Sequence, residues 1–109
     1  MARLDSTAAD HLGRARTDAH GRSSTIVVHD GPLRQSVIAL AAGTVLGEHN
    51  APPAASLYVV EGLVRVTAAS GDTEVGADEI VEITHERHSV EALEDSVFLL
   101  TTVTSIPKD

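Results

Sequence analysis

The sequence predicts an all-β barrel or sandwich of one domain, preceded by a short N-terminal helix or arm. From Ser24 onward, apolar stretches of four to nine residues alternate with turn residues at short intervals. Roughly eight or nine short strands at this spacing are typical of antiparallel sandwiches and barrels. The chain of 109 residues has the length of a single domain with one core. We therefore expect residues 1–23 to form the arm and residues 24–109 to form the barrel.

The N-terminal segment is the single helical candidate, because small apolar residues recur at three- and four-residue spacing before residue 20. Thr7 and Asp10 have the spacing of a capping box, and Gly21 stands where a helix is expected to stop. Gly13 weakens the pattern by about 1 kcal/mol relative to alanine. We expect a short helix that gains its order by packing on the barrel. Its apolar stripe consists of Leu4, Ala8, Leu12 and Ala15.

Three predicted strands, residues 36–40, 56–60 and 96–100, are apolar on both faces. One face of each strand would line the barrel interior, and an uncovered apolar outer face would be unusual. The cover is expected to be a second sheet, the N-terminal arm or another subunit. By contrast, residues 63–67 are mixed and fit a sheet that faces solvent on one side.

Residues 58–65 have the pattern of a tight β-hairpin. Gly62 would supply the positive φ that such a turn needs. Strand alternation turns Tyr58 away from the barrel interior, which favours a packing role for this side chain over a catalytic one.

Charge and composition exclude several classes of partner. Sixteen acidic and eight basic side chains give a formal net charge of −8, which would repel nucleic acid and anionic lipid surfaces. The only aromatic residues are Tyr58 and Phe98, so few rings are available to stack on bases or sugars. We expect no nucleic acid and no membrane as partners, and a small-molecule ligand held by aliphatic walls and a few polar groups.

The chain has no cysteine, so disulfides, thiolate metal sites and cysteine nucleophiles are all excluded. The first ten residues lack the apolar segment of a signal peptide, which favours a cytoplasmic location. No segment approaches the roughly 20 apolar residues that a membrane-spanning helix needs.

Two histidines, His49 and His88, each lie beside an alternating apolar strand. Three interpretations remain open: buried polar residues that bond to backbone or water, groups that contact a small molecule, or metal ligands. The other candidates have weaker patterns. The acidic run from Asp78 to Glu86 lacks the dense oxygen spacing of a calcium loop and is interpreted as a solvated surface. The histidines outside these segments, interpreted as bystanders, are His11, His20 and His29.

The segment from Gly43 to Gly62 resembles the first motif of the cupin family, G-x5-H-x-H-x3-E-x6-G. Gly43, His49, Ala51, Ala55 and Gly62 fall without a gap on its five named positions. The resemblance covers residues 33–104 and implies a small jelly-roll barrel.

The second cupin motif, G-x5-P-x-G-x2-H-x3-N, aligns with residues 77–92 and places its histidine at His88. The family's metal ligands are two histidines and a glutamate of the first motif and the histidine of the second. Ala51 and Ala55 replace two of these four. Two remaining imidazoles would hold a divalent iron, manganese, zinc or nickel ion only loosely, because transition-metal sites ordinarily have about three protein ligands. His85 is the candidate for a third ligand.

The resemblance therefore predicts either no cofactor or a weakly bound metal. We expect a non-catalytic or weakly metal-binding module for a small molecule, with His49 and His88 as its polar groups. The alternative is a metal-dependent dioxygenase or isomerase that uses His49, His88 and His85. Cupins are commonly dimeric, so the expected assembly is a homodimer. The predicted aliphatic lining of the ligand cavity is Leu57, Val59, Val90 and Ala92.

Overall fold

The structure is a computed structural model that describes residues 1–49 and 53–104, with the backbone alone for residues 48 and 49. One helix precedes nine strands in these ranges. The elements are α1 (Leu4–Thr17), β1 (Arg22–Asp30), β2 (Leu33–Leu40), β3 (Val45–His49), β4 (Ala54–Glu61), β5 (Leu63–Ala68), β6 (Gly71–Gly76), β7 (Ile80–Glu82), β8 (His88–Ala92) and β9 (Ser96–Val103).

The strands form two antiparallel sheets, one in the order β1-β2-β9-β4-β7 and one in the order β3-β8-β5-β6. Apolar side chains from both sheets meet in one cluster, which includes Leu57 and Phe98 from the first sheet and Val64 and Val90 from the second. All four are at most 3% exposed. This arrangement confirms the predicted all-β jelly-roll barrel with a short N-terminal helix.

The predicted hairpin at residues 58–65 is wrong, because β4 and β5 belong to different sheets. Gly62 does have a positive φ of 94°, but the chain uses it to cross from one sheet to the other. Just beyond this crossing, the Leu63 amide donates to the Ser96 hydroxyl at 3.0 Å, at the start of β9. The local sequence pattern correctly predicted a bend at Gly62. It wrongly predicted that the strands on the two sides of the bend pair with each other.

The α1 helix begins earlier than the capping-box pattern predicted. Arg3 is its N-cap residue and makes no side-chain capping bond, while Thr7 lies inside the helix. The helix ends at Thr17, and Gly21, with a φ of 71°, lies in the turn that leads into β1. The predictions of a capping box at Thr7 and of a stop at Gly21 are therefore both wrong.

The helix covers part of the outer face of the five-stranded sheet. Ala8, Leu12 and Ala15 pack in one cluster with Val37 of β2 and Val97 of β9. Each of these side chains is at most 8% exposed. The sequence allowed three covers for the outer faces of the strands that are apolar on both sides: a second sheet, the N-terminal arm or another subunit. On β2 and β9, the cover is the N-terminal helix.

The outer face of the four-stranded sheet is polar, as predicted from the mixed pattern of residues 63–67. Arg65 of β5 forms ion pairs with Glu74 at 3.2 Å and with Glu91 at 3.7 Å, one on each neighbouring strand. In residues 1–49 and 53–104, no helix has the length and apolar character needed to cross a lipid bilayer.

Candidate functional site

Strand β8 carries His88 into the interior of the barrel. Along this strand His88, Val90 and Ala92 are buried, whereas Ser89 and Glu91 are half-buried and face the other way. His88 is 8% exposed, and it is one of two buried polar residues in the described part of the chain. The predicted phase of this strand is confirmed, and a titratable ring lies on its inner face.

The pairing of β3 with β8 brings the two motifs together. Leu46 lies opposite Val90, and His49 lies opposite His88. The register shifts by one residue between these two pairs. An unshifted register would place Glu48 opposite His88, so the irregularity around Gly47 decides that the two histidine positions are paired. The side chain of His49 and the whole of Ala51 lie outside the described part of the structure, and the inward direction of His49 stays a prediction.

Among the described residues, the hydrogen-bond contact to the ring of His88 is a long one. Its Nδ1 atom lies 3.4 Å from the carbonyl oxygen of Glu86. Hydrogen bonds between nitrogen and oxygen are typically about 2.7–3.2 Å long. Buried polar groups are normally well satisfied. The described residues therefore hold this ring weakly, which leaves it able to bond to water or to a ligand.

A small cavity of about 50 Å³ adjoins His88 on the inner side of β5 and β6. A water molecule occupies about 30 Å³ in the liquid, so the cavity has room for one or two waters. Common ligand pockets measure about 300–1,000 Å³. The residues that line the cavity beside His88 include Val66, Thr73, Glu82, Ile83 and Thr84.

Thr73 and Thr84 line the same cavity as His88, and no motif in the sequence predicted this. Thr73 reaches this position because it lies opposite Val66 in the pairing of β5 with β6. The alternation of Thr73 and Val75 on one face of β6 was a usable signal. Which strands pair, and in which register, decides that this face borders the cavity. Alternation along one strand does not predict that pairing.

The predicted aliphatic lining residues are placed in the packed core. Leu57, Val59 and Ala92 are completely buried, and Val90 is 3% exposed. All four belong to the same buried hydrophobic cluster as Phe98. They face the barrel interior as expected from alternation, and their contact with a ligand stays a prediction.

The described side chains do not assemble a three-ligand metal site. His85 is exposed in the loop before β8, whereas His88 is buried. Ala55, at the usual glutamate position, is half-buried and offers no side-chain donor. No group of three or more histidine, aspartate or glutamate side chains suitable for a metal occurs within the described ranges. A resident three-ligand metal does not fit the donors seen there.

Comparisons with known proteins give structural matches alone, since no family model and no curated protein matches the chain. A conserved protein of unknown function from Streptococcus pyogenes has a TM-score of 0.74 at 22% identity, covering 83% of this chain and 80% of that one. A cupin superfamily protein from Desulfitobacterium hafniense has a TM-score of 0.72 at 13% identity, covering 77% of this chain and 78% of that one.

An enzyme is also among the matches. Salicylate 1,2-dioxygenase from Pseudaminobacter salicylatoxidans has a TM-score of 0.78 at 17% identity, covering 94% of this chain and 34% of the enzyme. This chain therefore corresponds to about a third of that protein. Identities this low establish a shared fold and leave activity open. With its two antiparallel sheets and these matches, the chain has the fold of the cupin superfamily.

Proposed function

We propose that this protein is a cytoplasmic, non-catalytic cupin-type module that binds a small molecule and has lost the usual metal site. The observation that carries the proposal is the β3–β8 pairing, in which His49 and His88 are directly opposed. His88 is buried on the inner face of its strand and adjoins a cavity. Two imidazoles beside one hollow would form its polar recognition group.

The chemistry of imidazole selects the class of ligand. A neutral ring offers one N–H donor and one acceptor, and a protonated ring offers two donors and a positive charge. A pair of such rings can bond to a carboxylate, a carbonyl or a hydroxyl group. Histidine changes charge between about pH 5 and 8, so binding of a carboxylate should strengthen as the pH falls through this interval.

The size of the cavity limits the ligand further. A hollow of about 50 Å³ accommodates a carboxylate group but not a ring system. The remainder of any ligand would then extend toward the barrel mouth. We therefore favour short carboxylic acids as the first probes.

Titration calorimetry with acetate, malonate and succinate at about pH 5.5 and about pH 8 tests the proposal. We expect at least one acid to bind more tightly at the lower pH and to lose binding in a His88→Ala variant. His20→Ala is the matched control, because His20 is exposed outside both motifs. Binding that is independent of pH, or equal in the two variants, would rule out the histidine pair as the recognition group.

A second candidate function is a metal-dependent cupin enzyme that uses His49, His88 and His85. The specific support is the structural match to a dioxygenase, whose fold this chain shares over most of its length. Elemental analysis of protein purified without an affinity tag separates the two candidates. One transition-metal ion per chain that disappears in His88→Ala would favour the enzyme, and a metal content well below one per chain would favour the binding module.

A further inference from the structure

The outer face of the five-stranded sheet carries a groove beside the part that α1 covers. The helix packs on β1, β2 and β9. Toward the other end of the same sheet, a groove of about 430 Å³ lies along β4, β7 and β9. This volume falls within the range of about 300–1,000 Å³ that is common for ligand pockets. The groove therefore has the size of a small-molecule site, unlike the cavity of about 50 Å³ beside His88.

The walls of this groove are mainly aliphatic. Ala55 of β4 and Val81 of β7 pack against the core, so strand alternation turns Ile80 to the outer face. Ile80 is 67% exposed, and Ala54 and Val103 border the groove with it. A hydrocarbon chain that lay along these side chains would remove apolar surface from water, which is favourable.

A row of polar side chains crosses the groove. Ser56 of β4 lies opposite Glu82 of β7 on one side and opposite Thr101 of β9 on the other. Thr101 in turn lies opposite Gln35 of β2, whose Nε2 atom donates to the Thr101 hydroxyl at 3.1 Å. A carboxylate accepts hydrogen bonds only, and a hydroxyl oxygen accepts as well as donates. The groove therefore presents a line of hydrogen-bond acceptors between apolar walls.

The charge of the groove selects a cation. Glu82 is exposed, and none of the ion pairs among the described residues involves it. Asp78 and Glu79 directly precede β7 in the sequence and add negative charge near it. In the described part of the chain, no lysine, arginine or histidine lines the groove. A positive ligand is therefore attracted to this site, and a negative one is repelled.

We propose that this groove binds a primary alkylammonium ion, a small molecule with one protonated amine and a short aliphatic chain. An ammonium group has three donors and no acceptor. It would donate to the Glu82 carboxylate and the Ser56 hydroxyl, which lie on neighbouring strands about 4.8 Å apart, while the chain lies on the aliphatic walls. The groove is on the outer face of the sheet and His88 is in the barrel interior, so this site does not depend on the proposed carboxylate ligand.

A nuclear magnetic resonance titration of the full chain with n-butylammonium chloride, at constant ionic strength, tests the site and its position. We expect saturable shifts at the backbone amides of Ser56, Ile80 and Thr101. Methylammonium should bind at least about fivefold more weakly, because it lacks the chain that contacts the aliphatic walls. The neutral n-butanol should bind at least about threefold more weakly, because it lacks the charge. Equal binding of n-butanol, or shifts spread evenly over the acidic surface, would overturn the proposal.

Three variants with unchanged circular dichroism spectra separate this site from the rest of the molecule. Glu82→Gln should weaken n-butylammonium binding at least about threefold, as expected for an exposed ion pair. Glu94→Gln makes the same change of charge at an exposed position in the turn before β9 and should leave binding unchanged. His88→Ala should also leave it unchanged, although it should abolish carboxylate binding. Equal weakening by the two glutamate variants would indicate general attraction to the net charge of −8. That result, or loss of n-butylammonium binding in His88→Ala, would contradict the assigned site.

Discussion

Tyr58 and Asp78 show how one contact on the outer surface changes the chemistry of a side chain. The phenolic hydroxyl donates to the Asp78 carboxylate at 2.6 Å. This hydrogen bond, followed by partial desolvation, raises the pKa of Tyr58 above its ordinary value of 10.0. The residue faces away from the barrel interior, as predicted from alternation, so the contact stabilises the β4 region and does not belong to the candidate site.

Tyr58 is the only tyrosine in the chain, so ultraviolet absorbance reports its ionisation without overlap. We expect it to ionise above pH 10.0, and Asp78→Asn should return the midpoint toward that value. Because the folded-state pKa is raised, the contact stabilises the fold below the ordinary pKa and loses this effect as the pH rises through the folded-state value. A titration curve identical in the two proteins would contradict the assigned hydrogen bond.

Asp95 joins the helix to the barrel through two contacts. One carboxylate oxygen accepts from the Ala42 amide at 2.8 Å, and the other accepts from Arg16 Nε at 2.8 Å. The Ala42 amide and then the Arg16 side chain hold the pKa of Asp95 below its ordinary value of 3.8. The carboxylate therefore stabilises the fold above pH 3.8 and loses this contribution as the pH falls through the lowered pKa.

Asp95→Asn should lower the melting temperature at neutral pH, because the amide loses the charge that holds Arg16. Asp72→Asn is the control, since Asp72 is exposed on β6 and the substitution changes net charge equally. The difference in melting temperature between the wild type and Asp95→Asn should become smaller as the pH is lowered below 3.8. A constant difference across that interval, measured by thermal unfolding, would be inconsistent with the assigned role of the charge.

At the scale of the element, the crossing from β4 to β5 depends on glycine. A Cβ atom at Gly62 would collide with the Ser96 hydroxyl and the Asp95 carbonyl oxygen, and would lie 2.8 Å from Ser96 Cα. Gly43 has a similar positive φ of 87°, yet a Cβ atom there would meet nothing within 4 Å. Comparing alanine substitutions at these two glycines therefore separates the destabilisation caused by backbone strain from that caused by a steric collision.

Gly43→Ala should lower the free energy of unfolding by about 1 kcal/mol, which is the strain of a left-handed backbone at a non-glycine residue. Gly62→Ala should cost about 3 kcal/mol or more, because overpacking adds to that strain. Urea unfolding of both variants measures the difference. Equal losses would mean that the surroundings of Gly62 relax around the new methyl group.

The elements also show which parts of the fold the sequence could predict. Alternation along β8 placed His88, Val90 and Ala92 correctly on one face, because the phase of a single strand is a local property. The partner of β4 could not be predicted in this way, and the hairpin prediction around Gly62 failed for that reason. A short strand beside a glycine fits a hairpin and a sheet crossing equally well.

For the molecule as a whole, the fold was predictable and the candidate site was predictable only in part. Widely spaced motif residues, such as Gly43, Gly62 and His88, indicated the barrel because each supports the same topology. The pairing of His49 with His88 requires a one-residue shift near Gly47, and no local pattern in the sequence contains that shift. The cavity beside Thr73 depends equally on long-range register.

We propose that Ala51 and Ala55 leave this barrel without two of the metal ligands that the cupin resemblance implies, whereas His49 and His88 remain. The most direct test is a Zn²⁺ titration by calorimetry of the wild-type protein and of a variant carrying Ala51→His and Ala55→Glu. We expect weak binding in the wild type and at least about tenfold tighter binding in the variant, a difference of about 1.4 kcal/mol. Tight stoichiometric binding by the wild type, or no gain in the variant, would contradict the claim.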